Sequence, residues 1–259
     1  MVDTKQAAEL LITARRKNQR IHLPPTAVPA TLDEAYAVQD QLRQDIGIPQ
    51  VGWKVALTNE PLQQLAHVSE PIAGPLFESL VGPTPQTITD SSATLYGFEF
   101  EFAFRMGKDL PPQGAPYSVA AVTAAADTLH PAIEPVGSRL VNGPAQGGAP
   151  GLIADHGGNY SFVYAPAVPN WQQLDLSTCI VRALFDGQLA ATKTGANVVG
   201  NPLNSLTWLA NHLAQRGLMI KAGDWVTTGA AIGPLSTDLG VTVTADFGNL
   251  GIVEIHFQS

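Results

Sequence analysis

The sequence predicts an α+β fold, a mixed β-roll or barrel core carrying an N-terminal helical extension. Three observations carry this reading. The first 70 or so residues show helical periodicity interrupted by a Pro-rich break. From about Leu76 onward, short apolar or alternating runs are separated by clusters of Gly, Pro, Asn and Asp. Two helical stretches interrupt that β-rich part. The expected organisation is a helical region over residues 1–75 packed on a β-rich domain over 76–259.

The elements follow in order. Residues 5–20 mix Leu10, Leu11 and Ile12 with Arg15, Arg16, Lys17 and Arg20, the pattern of an amphipathic helix. The break from Leu23-Pro24-Pro25 to Pro29 ends it. Thr31-Leu32-Asp33-Glu34 has the Thr-x-x-Glu form of a capping box, and Tyr36, Val38, Leu42 and Ile46 continue at near-helical spacing to Gly47. Residues 51–57 read as a short strand and 58–68 as a short helix. Strands are expected near 97–105, 131–137, 159–164, 178–185, 188–193, 224–229, 240–247 and 250–257. Asp186-Gly187 marks a hairpin between two of them. Helices are expected over 117–128 and from Asn201-Pro202, a cap and first-turn pair, to Gly217. Residues 141–151 read as a Gly/Pro-rich loop, a candidate flap.

Composition narrows the function classes. At 45% hydrophobic and 14% charged residues, the 259-residue chain has ample apolar material for a core and is not a disordered sequence. Fourteen Lys+Arg against 22 Asp+Glu give a net charge of −8, which argues against a basic nucleic-acid groove. A single cysteine, Cys179, excludes an intrachain disulfide and a multi-cysteine metal site, and fits a reducing compartment. No run of about 18 apolar residues is present, so no membrane span is expected. A cytoplasmic protein is the expectation. Neither a phosphate-binding glycine loop ending in Lys-Ser/Thr nor a Gly-x-Ser-x-Gly elbow occurs.

With charge so scarce, charges inside apolar runs are informative. In Phe98-Glu99-Phe100-Glu101-Phe102-Ala103-Phe104, strand geometry puts Glu99 and Glu101 on one face, Cα atoms about 6.6 Å apart, and the phenylalanines on the other. Two carboxylates on a buried element repel and are costly to desolvate. A cation between them, or a face open to water, would resolve the conflict. Carboxylate oxygens would favour hard cations. Glu134 in Pro131-Ala132-Ile133-Glu134-Pro135-Val136 is a third candidate, the alternative being a strand-end carboxylate bonded to Arg139. Lys54, between Trp53 and Val55, is either paired with a carboxylate or snorkelling from a strand edge. Asp155-His156 is a further polar pair, which alone reads as a hydrogen-bonded surface pair.

Taken in order, these stretches resemble the fumarylacetoacetate hydrolase family, in particular its hydratase/decarboxylase branch. The matching segments are Gly52-Trp53-Lys54-Val55-Ala56-Leu57-Thr58, Glu99-Phe100-Glu101 with Gly107-Lys108-Asp109-Leu110, and Ala132-Ile133-Glu134-Pro135 with Ser138-Arg139. Ala154-Asp155, Gly200-Asn201-Pro202-Leu203-Asn204, Ala222-Gly223-Asp224 and Phe247-Gly248-Asn249-Leu250-Gly251 follow, so the resemblance covers nearly the whole chain. It implies Mg²⁺ or Mn²⁺ held by Glu99, Glu101 and Glu134, with Lys54 beside the metal and Asp155 orienting it or a water. It implies a lyase acting on a 2-oxo or 2-hydroxy-dienoate acid from aromatic catabolism. The leading expectation is hydration of 2-hydroxypenta-2,4-dienoate. Decarboxylation of 2-oxo-3-hexenedioate comes next, then C–C bond hydrolysis using His67 and Glu70, then an inactive assembly relative. A homo-oligomer, and a possible complex with a sister hydratase or decarboxylase, are also implied. The chain departs from the branch at Glu70-Pro71-Ile72-Ala73-Gly74, where many hydratases carry Asp-Tyr-Gly, an acid able to shuttle a proton. It departs again at Val136-Gly137 and at Asp155-His156-Gly157.

Overall fold

A computed structural model describes residues 1–89, 94–141 and 148–258. Its elements run in order α1 (Thr4–Arg16), α2 (Leu32–Asp45), β1 (Gln50–Ala56), α3 (Glu60–Ala66), β2 (Ile72–Phe77), β3 (Val81–Pro83), β4 (Gln86–Thr89) and β5 (Leu95–Met106). Then come α4 (Val119–Ala125), β6 (Ala126–Gly137), α5 (Gly148–Ala154), β7 (Phe162–Tyr164), β8 (Ile180–Phe185) and β9 (Gln188–Thr194). The chain closes with α6 (Pro202–Gln215), β10 (Trp225–Leu235), β11 (Val241–Asp246) and β12 (Ile252–Gln258). The helix starts are set by side-chain caps: Asp3, Thr31, Asn59, Ser118 and Asn201 each accept a backbone N–H from the first turn that follows.

Two sheets make up the β core. The larger has the order β2-β1-β10-β5-β6-β7-β3, and the smaller β4-β12-β11-β8-β9. Both are mixed. In the larger sheet β1 runs parallel to β10, while β10, β5 and β6 are successively antiparallel. The phenylalanine face of β5 lies in the main core between the sheets. Phe98 meets Phe257 edge-on at 5.3 Å, and Phe102 meets Phe247 at 5.1 Å. Helix α6 contributes Leu206, Leu209 and Leu213 to the same core. The opposite face of the larger sheet is covered by a second layer. There α1 and α2 pack together and onto Phe77, Leu140 and Ala154. The expected α+β architecture with an N-terminal helical layer is what the chain adopts. Residue 75, the expected boundary, lies inside β2, and β1 and β2 are strands of the larger sheet.

Several elements differ from the sequence expectation. Strands β2, β3 and β4 had not been expected, because Pro71, Pro75, Pro83 and Pro85 break the alternation that would announce them. Residues 148–151 of the loop expected over 141–151 instead open α5, with Pro150 tolerated in its first turn. The rest of that expected loop, 142–147, lies outside the described residues. The helix expected over 117–128 stops at Ala125. The alanine-rich run to 126 reads as helix, but pairing with β5 draws Ala126 onward into β6. Strand β10 runs on to Leu235 through Gly229 and Gly233, which read as terminators but sit at register shifts against β5. The Asp186-Gly187 turn is as expected, both residues having positive φ (46° and 76°).

Candidate metal centre

The polar face of β5 turns away from the phenylalanine core toward the helical layer. Register sets its partners: Glu99 lies directly opposite Glu134 on β6, and Glu101 opposite Ala132. Cross-strand neighbours share a face, so three carboxylates converge on one patch of sheet. A carboxylate oxygen from each of Glu99, Glu101 and Glu134 falls within 4.8 Å of the other two. This face is not solvated. Glu101 and Glu134 are fully buried and Glu99 is 9% exposed.

Strand β1 supplies the counter-charge. Flanked by β2 and β10, it is an interior strand, so Lys54 cannot reach bulk water by snorkelling and is 1% exposed. Its Nζ lies 3.0 Å from Glu134 Oε1 and 3.9 Å from Glu99 Oε2, and it donates to the Gly157 carbonyl at 2.9 Å. Burial alone would pull the lysine pKa down. Glu134, Glu99 and Glu101 outweigh that, so Lys54 is held charged with its pKa above the ordinary value. One ammonium does not balance three buried carboxylates. Burial, against the pull of Lys54 and with repulsion from Glu134, pushes Glu99 up to about 7. Burial, then repulsion from Glu134 and Glu99, pushes Glu101 well above the carboxylate range.

Two buried oxygens face this patch without a hydrogen-bond donor among the described residues, Glu101 Oε1 and Glu134 Oε2. Their sister oxygens are taken. Glu101 Oε2 accepts from the Gly229 amide at 2.9 Å, and Glu134 Oε1 accepts from Asn159 Nδ2 at 2.8 Å. An all-oxygen donor set, surplus negative charge and two orphaned carboxylate oxygens fit a hard divalent cation.

Lys54 and Glu99 form the polar end of a cavity of about 550 Å³. Tyr96 lies beside them. Ala56, Leu57, Leu62, Leu65, Ala66 and His67 form one wall, and Ala149, Leu152 and Gly157 another. Burial pushes the Tyr96 phenol well up, which keeps its hydroxyl protonated. His67 is exposed at the cavity wall, and Glu70 instead accepts from the Trp208 indole at 3.1 Å.

Asp155 is placed elsewhere. Arg139 Nε donates to its Oδ1 at 2.6 Å, while the Arg139 amide and the Ser138 hydroxyl donate to Oδ2 at 2.7 and 3.1 Å. The pair Asp155–Arg139 is buried, so Arg139 serves Asp155 and not Glu134. Asp155 therefore opens the turn 155–159 rather than reaching the carboxylate cluster. That turn brings in two groups the sequence reading missed, the Gly157 carbonyl on Lys54 and the Asn159 amide on Glu134. His156 is no surface residue either. It is 1% exposed against Phe77 (5.0 Å), and burial, then Arg15 and Arg139, pull its pKa well below the ordinary value. Tyr96 and Asn159 carried no sequence signal, since neither stands in a spacing that implies chemistry.

No protein-family profile matches the sequence. The chain is 30% identical over 260 residues to a 2-keto-4-pentenoate hydratase of Paraburkholderia xenovorans, covering 98% of this chain and 95% of the relative. The 4-oxalocrotonate decarboxylase of Pseudomonas putida G7, solved with magnesium and adipate, superposes with a TM-score of 0.89 at 26% identity over 98% of this chain and 97% of that one. A fumarylpyruvate hydrolase of Pseudomonas aeruginosa, in complex with Mn²⁺ and pyruvate, superposes at 0.64 and 15% identity over 82% and 90% of the chains, a likeness of fold alone. The near-complete match to the hydratase and to the decarboxylase structure establishes that this chain belongs to the fumarylacetoacetate hydrolase family, in its hydratase/decarboxylase branch.

Proposed function

We propose that this chain is a divalent-metal-dependent lyase that adds water to 2-hydroxypenta-2,4-dienoate, giving 4-hydroxy-2-oxopentanoate. The observation that carries this reading is the convergence of Glu99, Glu101 and Glu134 behind Lys54 at the polar end of a largely apolar cavity. Glu99, Glu101 and Glu134 would hold the cation, Mg²⁺ or Mn²⁺, which supplies Lewis-acid polarisation of a 2-oxygen and favours its enolate. Lys54 has three N–H donors. Glu134 and the Gly157 carbonyl take two, leaving one for the substrate carboxylate or 2-oxygen. Held charged by its neighbours, it stabilises negative charge that develops in the enolate. Tyr96, kept protonated by burial, offers a second donor in the same cavity. Asp155 acts as a positioning residue: through Arg139 it fixes the turn that carries Gly157 and Asn159.

Decarboxylation of 2-oxo-3-hexenedioate is the second reading, favoured by the TM-score of 0.89 to the decarboxylase. Both reactions pass through an enolate of the same 2-oxo acid head. Two measurements test the proposal. Metal content should be about one Mg²⁺ or Mn²⁺ per chain in the wild type and absent in Glu101→Ala. Absorbance decay of 2-hydroxypenta-2,4-dienoate should require that metal. Unchanged metal content in the variant sinks the ligand set, and no decay of the dienoate sinks the hydratase.

A further inference from the structure

Strict alternation along β5 would send Tyr96 to the phenylalanine face with Phe98. It does not go there. Leu95 pairs with Gly137 and Gly97 with Val136, so β5 carries one extra residue between them, Tyr96. Such a bulge re-aims its side chain, and Tyr96 lines the cavity beside Lys54 and Glu99. Its hydroxyl is seated on the turn that anchors Lys54. A Cβ at Gly158 would lie 3.1 Å from the Tyr96 hydroxyl oxygen, and a Cβ at Gly157 would lie 3.3 Å from Lys54 Cδ. The phenol and the ammonium therefore flank the same two glycines. Among the described residues, the ionisable side chains lining the cavity are Lys54, His67, Tyr96 and Glu99. Lys54 is bound to Glu134 and the Gly157 carbonyl, Glu99 belongs to the carboxylate cluster, and His67 is exposed at the end of α3. Position 72 supplies no acid: Ile72 lies opposite Ala56 and is buried with Ala35 and Ile153.

We propose that Tyr96 is a catalytic residue, the group that delivers a proton to C3 of the bound 2-oxo acid and recovers one from the water that adds at C4. This rests on the reading above that the 2-oxo acid head binds at the Lys54 end. The dienol first ketonises to 2-oxopent-3-enoate, its hydroxyl proton being lost as C5 gains one. The water oxygen then bonds to C4, and the C3=C4 electron pair moves into the enolate. The enolate takes the Tyr96 hydroxyl proton at C3, and the proton released by the water passes to the phenolate oxygen. One water is consumed and the phenol is restored. C3 and C4 are adjacent, so one hydroxyl reaches both. An enolate carbon is a stronger base than a phenolate, so the transfer to C3 runs downhill.

The test uses 2-oxopentanoate, which has no double bond to hydrate but has the same C3. With the Mg²⁺-loaded wild type in D₂O, NMR should show its C3 protons replaced by deuterium. Tyr96→Phe keeps the ring and loses the hydroxyl. It should slow that exchange by about 10²-fold or more, and slow dienoate turnover with it. Calorimetry should give the variant the wild-type Kd for 2-oxopentanoate, because the group acts on the proton and not on the grip. Wild-type exchange in Tyr96→Phe, or no exchange by the wild type, overturns the proposal. So does a loss of exchange matched by an equal loss of affinity, which would make Tyr96 a binding residue only. Turnover of 2-hydroxypenta-2,4-dienoate by the same preparations separates the two readings. Wild-type turnover that Tyr96→Phe retains fails Tyr96 alone. Exchange that depends on Tyr96, without turnover of the dienoate by the wild type, fails the hydratase and upholds the proton transfer at C3.

Discussion

Lys54 is the residue on which the centre's electrostatics turn. Among the described residues it is the cation that pairs with two of the three buried carboxylates, Glu134 at 3.0 Å and Glu99 at 3.9 Å, and it is buried with them. Removing one partner of a buried ion pair costs about 3–5 kcal/mol, because the other charge is left stranded. Lys54→Met should therefore lower the melting temperature of the metal-free protein by about 10 °C, at about 2–4 °C per kcal/mol for a chain of this size. A divalent cation reverses the balance, since a neighbouring ammonium repels it. The variant should bind Mg²⁺ at least as tightly as the wild type and gain more thermal stability from it. Its kcat should still fall by about 10²-fold or more, because the donor to the enolate is gone. Calorimetric Mg²⁺ titration and dienoate kinetics check both halves. Wild-type kcat in this variant would remove Lys54 from the chemistry.

At the scale of elements, β5 and β10 define what the site can be. The alternation of Phe and Glu on β5 was readable because a strand has only two faces, and each residue type demands its own. Glu134 was readable as a lone charge in an apolar run, yet its position directly opposite Glu99 depends on register, which the sequence does not display. Strand β10 contributes through a glycine. Gly229 sits at a register shift with φ +92°, and its amide donates to Glu101. A Cβ at Gly229 would lie 2.3 Å from Thr58 Cγ2. Gly240 is the control, with φ +87° and nothing within 4 Å of its would-be Cβ. Both alanine variants share the backbone strain of about 1–3 kcal/mol. Only Gly229→Ala adds the clash and disturbs Glu101, so it should show the larger drop in melting temperature and at least about a tenfold loss of Mg²⁺ affinity. Equal effects of the two variants on stability and metal would refute this role for Gly229.

Across the whole molecule, the N-terminal helices reach the centre through a relay. Arg15 on α1 donates to the Asn159 carbonyl, which also accepts from Arg139 at 3.0 Å, and the Asn159 side chain donates to Glu134, the partner of Lys54. Gln39 on α2 donates to the carbonyls of Ala73 on β2 and Ile153 on α5, at 2.9 and 2.8 Å. The amphipathic pattern of residues 5–20 announced a helix but not this duty, because Arg15 meets its partner 144 positions away. The surroundings of Asp155 were hidden too: its partner Arg139 stands 16 positions away and donates to both its oxygens. Local pattern reports what a residue needs, and long-range contact decides who supplies it. Arg15→Ala tests the relay. Losing a charged donor to a partly buried carbonyl costs about 2 kcal/mol, or about 4–8 °C in melting temperature. Freeing the turn should speed amide exchange at residues 155–159 by about tenfold and raise KM for the dienoate, whereas exchange in β11 and β12 should not change. Arg20→Ala, an exposed neutralisation beyond the end of α1, should leave all three at wild-type values. If Arg15→Ala lowers stability yet leaves exchange at 155–159 and KM as in the wild type, α1 merely packs on the core. If both move together, the helical layer is part of what holds Glu134 and Lys54 in place.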